Sequence, residues 1–235
     1  MIKWICFDVD DTLLDFHAGE KIAFFSAMQE MGVRAKGQDY HEYARINDAL
    51  WKQLEKGEIQ KERLRIQRFE MFFQLFYPTL DPVKMNDIYV RHLAEQCFLI
   101  KGVQEVVEKC SKRVHCAIAT NGIASVQRRR LEKSGLMPYF KELFISEELD
   151  CSKPQKEFFD AIVRKCECSP EEILFVGDSL SADIQGAVMN HFVSVWYNPK
   201  HIKNEMDIHA DHEIDQLEEV LNILEEEKNE NVCNF

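Results

Sequence analysis

Asp8 and Asp10 stand two residues apart in Asp8-Val9-Asp10-Asp11-Thr12, directly after the apolar run IKWICF. Carboxylates so spaced can both reach a crevice if the chain turns at the end of a strand. One of them, anionic at neutral pH, suits a nucleophile that forms an acyl-phosphate for water to cleave. The other suits a general acid for the leaving oxygen and then a base for the water. Their repulsion raises the proton affinity of one of the pair. Acids in this position also serve as turn formers and helix caps, so the motif alone leaves both uses open. Thr120-Asn121-Gly122 follows the apolar run VHCAIA. Its hydroxyl and following backbone N–H can hold phosphate oxygens, and Gly122 permits close approach, although Thr-Asn-Gly is also an ordinary turn. Lys153, in Ser152-Lys153-Pro154, opens the helical stretch QKEFFDAIV. It can turn its ammonium into a crevice or stay solvated, as most lysines do. Asp178, in Gly177-Asp178-Ser179-Leu180-Ser181-Ala182-Asp183, follows the run ILFV and is placed to bind a hard cation such as magnesium. Asp183 can cap the next helix or hold metal-bound water.

These clusters need a scaffold that brings strand ends together. Ile2 to Phe7, Val114 to Ala119, Leu143 to Ser146, Ile173 to Val176 and Phe192 to Trp196 are short, apolar and rich in β-formers. Helical periodicity separates them over Val103 to Lys112, Ser125 to Ser134, Gln155 to Cys166 and Ser181 to Asn190. The alternation predicts an α/β fold, a Rossmann-like parallel sheet with crossover helices, in which ligands sit at the carboxyl ends of strands. Residues 16–100 break the alternation with helical patterns such as EKIAFFSAMQEMG and LRIQRFEMFFQLF. A structureless loop of that length is improbable in a compact protein, so this stretch predicts an inserted helical domain. The expected division is a core of residues 1–15 and 101–235 and a cap of residues 16–100. Gly57, Pro78 and Pro82 are expected to punctuate the cap helices. The C-terminal stretch from Leu217 begins as an amphipathic helix, and its polar tail is expected to fray.

The 235 residues carry a formal net charge of -12, which disfavours a nucleic-acid polymer as partner because its phosphates would be repelled. A small anionic substrate is still admissible, since local cations can outweigh the global field. The eight cysteines form no CxxC pair, and reduced, mostly buried thiols are expected. The N-terminus meets acid too early for a signal peptide, and no apolar run reaches the roughly 18 residues of a membrane span. The expectation is a cytoplasmic protein with no membrane partner. Monomer and dimer are both open.

Taken together, DxDxT, then T-N, then K-P, then GDxxxxD, each at a strand end or a helix start, resemble the haloacid dehalogenase superfamily. The resemblance covers about residues 1–15 and 101–200, and the position of the insert resembles that superfamily's helical cap. It implies Asp8 as nucleophile and Asp10 as general acid/base. It implies a magnesium site of Asp8, the backbone carbonyl of Asp10, and Asp178, supported by Asp183, with Thr12 steadying the loop. Thr120 and Lys153 would bind the phosphoryl group, supported by Asn121. Members that cleave carbon–halogen bonds lack the second aspartate, so Asp10 favours phosphate transfer. Asp11 departs from the glycine found in many members, and its role is undetermined. A narrower resemblance, carried by DVDDTLLDF, NDALWKQLEKGEI, RFEMFF, IATNG, LEKSGL, FISEEL and the SKP stretch, is to the pyrimidine 5'-nucleotidase subgroup. It implies a nucleoside 5'-monophosphate as substrate and makes Asn47, Trp51, Arg68 and Phe69 candidates to face it. For Trp51 and Phe69, packing between cap helices is the competing use. A phosphoglycolate or sugar-phosphate phosphatase, or a phosphomutase, would keep the fold and change the substrate. A non-catalytic binding protein would keep the fold alone.

Overall fold

The computed structural model describes residues 1–230. Its chain opens on β1 (Trp4–Phe7), whose four residues are all buried. Four helices follow: α1 (Phe16–Glu30), α2 (Gly37–Glu55), α3 (Lys61–Phe76) and α4 (Pro82–Ala94). The chain then runs through α5 (Val103–Ser111), β2 (His115–Thr120), α6 (Ala124–Lys133), β3 (Phe140–Ile145) and the short α7 (Ser146–Leu149). It continues with α8 (Lys156–Cys166), β4 (Ile173–Gly177), a π turn at Leu180–Ile184, α9 (Gln185–Met189), β5 (Val193–Tyr197), β6 (His212–Ile214) and α10 (Val220–Glu230).

The six strands form one sheet in the order β3-β2-β1-β4-β5-β6, and every pairing is parallel. A parallel sheet covered on both faces needs strands that are apolar at every position. β1 meets that need: Ile5 and Phe7 join the core under α5 and α10, whereas Trp4 and Cys6 join the core under α8 with Phe158, Phe159 and Phe175. Chain order reverses at β1, which pairs with β2 on one side and β4 on the other. The crevice beyond such a reversal is where open α/β sheets bind ligands. The residues that leave β1 and β4 there are Asp8 and Asp178.

The chain divides into two compact units, Phe16–Cys97 and the sheet-bearing remainder. Phe98 to Ile100, which the sequence groups with the insert, lie with the sheet unit. Asp15 N donates to Phe98 O, Ile100 N donates to Leu13 O, and Leu14 bridges Leu99. In the helical unit, Gly57 takes a left-handed conformation just past α2, and Pro82 occupies the first turn of α4, whose cap Asp81 accepts from Val83 N and Lys84 N. β6 is a strand the sequence reading did not anticipate: it has only three residues and only Ile214 is buried. Helix Ser181 to Asn190 begins instead with the π turn. The described cysteines, Cys6, Cys97, Cys110, Cys116, Cys151, Cys166 and Cys168, are free. Cys233 and the end of the polar tail lie outside the described residues. No described helix is long and apolar enough to cross a membrane.

α9 sits close enough to α8 that a Cβ on Gly186 would overlap the Phe159 ring. Gly186→Ala is therefore expected to lower unfolding stability by about 1–3 kcal/mol, as overpacked core sites do. Urea denaturation measures it, and an unchanged midpoint would contradict this packing.

Candidate active site

Asp8 is the first residue beyond β1, and its N–H donates to Val176 O across to β4. The loop then turns tightly. Leu13 N and Leu14 N both donate to Val9 O, and Asp11, with φ of 58°, donates its N–H to Leu14 O. Asp11 thus holds the left-handed position where glycine is usual and aspartate is among the tolerated residues. Thr12 is buried in this loop, but its hydroxyl makes no hydrogen bond there, so backbone bonds steady the turn.

Lys153 is a fully buried lysine whose ammonium lies 2.6 Å from Asp8 Oδ1, 2.6 Å from Asp183 Oδ1 and 2.7 Å from Ala119 O. It is not a solvated side chain. Asn121 holds its backbone from both sides: the Asn121 Oδ1 accepts from Lys153 N at 2.9 Å and the Nδ2 donates to Lys153 O at 3.0 Å. Thr120 ends β2 and is buried. Its hydroxyl oxygen accepts from Gly122 N and from Gln127 Nε2, both at 3.0 Å. With both acceptor positions engaged, the hydroxyl proton is left to donate to a ligand oxygen.

Asp183 lies in the π turn, where its Oδ2 accepts from Ser179 N at 3.1 Å. Its side chain crosses directly over Gly177, where any Cβ would overlap it. Asp178 leaves β4 with its carbonyl held by the Trp196 indole N–H at 2.9 Å. Asp8, Asp178 and Asp183 each offer a carboxylate oxygen, and these atoms lie within 4.8 Å of one another. At an effective dielectric of about 20, each such pair of charges repels by roughly 3 kcal/mol or more. Three carboxylates face one ammonium, so a surplus of negative charge stays in the cluster. Burial pushes the Asp8 carboxyl up to about 8, and the charges of Asp183 and Asp10 push the same way against Lys153. Asp178 is also raised, first by desolvation and then by Asp8, Asp183 and Asp11. Burial lowers Lys153, but Asp183 and Asp8 outweigh it and hold the ammonium charged. An all-oxygen donor set with surplus negative charge fits a small hard cation.

Asp10 stands apart from this cluster. Its Oδ2 accepts from Gln127 Nε2 at 2.7 Å, and its Oδ1 accepts from Arg130 Nη1. Gln127 and Arg130 are buried on α6, and the sequence reading passed over both. Arg130 ends the run Arg128-Arg129-Arg130, which reads as a solvated face; their spacing of three on one helix face was the available signal.

In the helical unit, Asn47, Arg68 and Phe69 are buried, and their recorded partners belong to the same unit. Asn47 Nδ2 donates to Glu20 Oε1 at 2.9 Å. Arg68 donates to Asn47 Oδ1 at 3.2 Å and Asn86 Oδ1 at 3.0 Å, and its guanidinium lies 4.7 Å from the Tyr89 ring centre. Phe69 stacks on Tyr43 with centroids 5.2 Å apart, which is the packing use weighed for it. Trp51 is partly exposed on α2.

A family profile described as haloacid dehalogenase-like hydrolase matches residues 2–189. A pyrimidine 5'-nucleotidase of Streptococcus pneumoniae is 37% identical over 226 residues, spanning 95% of each chain. A pyrimidine 5'-nucleotidase of Escherichia coli is 30% identical, over 91% of this chain and 96% of that protein. The crystal structure of a HAD-hydrolase from Bacillus subtilis bound to magnesium superposes with a TM-score of 0.90 at 32% identity, covering 95% of this chain and 98% of that one.

The raised carboxyls give a signed pH dependence. The folded, metal-free site holds protons more tightly than the unfolded chain does. The stability so contributed is complete below the ordinary aspartate range and is lost as pH rises through about 8. A divalent cation bound by these carboxylates would displace those protons and restore what is lost. Magnesium is therefore expected to raise the melting temperature of chelator-treated protein more at pH 8.5 than at pH 6. Equal shifts at both would contradict the account.

Proposed function

The chain belongs to the haloacid dehalogenase-like hydrolases, and we propose that it is a magnesium-dependent phosphatase of nucleoside 5'-monophosphates working through an aspartyl-phosphate. The observation that carries the reading is the ion pair of Asp8 with buried Lys153, set within a carboxylate cluster, with Asp10 two residues on. The nucleotide part rests on the two nucleotidase relatives, each aligned over nearly its full length.

In the first step an Asp8 carboxylate oxygen attacks phosphorus. A new O–P bond forms, the ester P–O bond breaks, and its electron pair leaves with the alcohol oxygen. Asp10 gives that oxygen a proton. In the second step water attacks phosphorus, Asp10 takes its proton back from the water, and the bond to Asp8 breaks, releasing inorganic phosphate and the Asp8 carboxylate. Lys153 and the Thr120 hydroxyl hold phosphoryl oxygens, and Asn121 keeps Lys153 aimed. The carboxylates of Asp8 and Asp178 and the backbone carbonyl of Asp10, with Asp183 in support, would hold magnesium, which would supply the positive charge that the cluster and an incoming phosphate dianion lack. The magnesium in the Bacillus subtilis relative supports that choice of metal. The substrate reads as a small phosphorylated molecule and the compartment as the cytoplasm. Asn47, Trp51, Arg68 and Phe69 remain the candidates for base and sugar preference. For Asn47 and Arg68 that role would work through the buried Glu20-Asn47-Arg68-Asn86 network.

Phosphate release from a panel of nucleotides, sugar phosphates and phosphoglycolate, with magnesium, tests the reading. Release from nucleoside 5'-monophosphates is expected, and Asp8→Asn should remove it. Turnover of a sugar phosphate with no nucleotide cleaved would reject the nucleotide part. Movement of phosphate between sugar carbons without net hydrolysis would point to a mutase. Activity that survives Asp8→Asn would reject the nucleophile.

A further inference from the structure

The Asp10 carboxylate is held at both oxygens by one helix, and a glycine two residues past β2 leaves the space for it. On α6, Gln127 and Arg130 are one turn apart and both almost wholly buried. Gln127 uses every polar position it points inward. One Nε2 hydrogen goes to Asp10 Oδ2 at 2.7 Å and the other to Thr120 Oγ1 at 3.0 Å. Its Oε1 accepts from Arg130 Nη1 at 3.1 Å, and the same Nη1 donates to Asp10 Oδ1. Asp10, Gln127 and Arg130 thus close a ring of three side chains, with Thr120 attached. The Gln127 amide runs directly over Gly122, where a Cβ would overlap it. The φ of Gly122 is not among the positive values, so the backbone does not call for glycine there; the space for the Gln127 side chain does.

We propose that Gln127 and Arg130 are positioning residues that aim the Asp10 carboxylate at the leaving oxygen, and that Gln127 ties this aim to Thr120, the group assigned to the phosphoryl oxygens. The inference rests on the reading of Asp10 as leaving-group acid. A carboxylate offers about four lone-pair sites, and the ring takes one on each oxygen. The Asp10 side chain is still 29% exposed, so one edge stays open toward a ligand. Two donors on separate oxygens stop rotation about the terminal bond, which a single donor would permit. A carboxylate free to rotate would spend much of its time with neither oxygen directed at the ester, and proton transfer is the step that suffers.

Leaving-group dependence reads this out. An aryl ester with an acidic phenol, such as p-nitrophenyl phosphate, departs with little help from a proton. An alkyl phosphate does not. The quantity to compare is kcat/KM, which covers steps through departure of the first leaving group and omits the shared hydrolysis of the aspartyl-phosphate. Gln127→Leu, Arg130→Lys and Gly122→Ala are each expected to lose about tenfold or more in kcat/KM on an alkyl phosphate and less than about threefold on the aryl ester. Gly122→Ala reaches the ring from outside and guards against misfolding of the buried variants; a thermal melt confirms that each is folded. Equal losses on the two esters in folded variants, or no loss on either, would overturn the proposal. Asp10→Asn is the reference. If it shows the alkyl-selective loss and the ring variants do not, the positioning role alone fails. If Asp10→Asn is itself indifferent to the leaving group, the acid assignment fails and the ring's role falls with it.

Discussion

Three carboxylates and one ammonium share a buried corner at the carboxyl ends of β1 and β4, and the charges do not balance. Lys153 is as deeply placed as the acids it pairs with, so water contributes little screening there. The sheet creates this problem by its topology. The reversal of strand order brings Asp8 and Asp178 to neighbouring strand ends, and the π turn folds Asp183 back among them. An uncompensated buried charge costs several kcal/mol, and a corner that concentrates it is stable only with a cation or with protons. The same surplus suits the corner to a cation and makes it inhospitable to a phosphate dianion without one.

Asp8 and Asp10, the two acids proposed for catalysis, are kept in different surroundings. Asp8 shares its site with like charges and an ammonium, and burial raises its proton affinity. Asp10 is two residues along, outside the carboxylate cluster, partly exposed, and held by neutral and cationic donors from α6. The proposed nucleophile and acid are thus separated by what surrounds them rather than by residue type, which is how one carboxylate pair can divide two tasks. Two glycines mark where side chains of the site cross the backbone: Gly177 under Asp183 and Gly122 under Gln127.

What the sequence discloses follows from how local each signal is. Strand ends are legible because an apolar run that stops at an acid records both burial and its limit, as at Phe7–Asp8 and Gly177–Asp178. The helical character of the insert is legible from its periodicity, and Gly57 and Pro82 interrupt it where helices end or begin. Arg130 is hard to read because only its spacing of three from Gln127 sets it apart from Arg128, which pairs with exposed Glu148; what buries it is proximity to Asp10, 120 residues away in sequence. Lys153 looked as ambiguous as any lysine until Asn121 and Asp8 were beside it. The polar network of Glu20, Asn47, Arg68 and Asn86 inside the helical unit runs against the rule that helix interiors are apolar, so no pattern of hydrophobic residues could mark it. β6 is short and half-exposed, and its pairing with Val195 to Tyr197 defines it as a strand.

The identity of the attacking group is the claim on which the whole account turns. Acid quenching during turnover with magnesium, followed by borohydride reduction, converts an acyl-phosphate on an aspartate to homoserine, which peptide mass spectrometry locates. The account predicts homoserine at position 8, dependent on both substrate and magnesium. Turnover under the same conditions with unmodified aspartate at position 8, or with the modification at another acid, would contradict it.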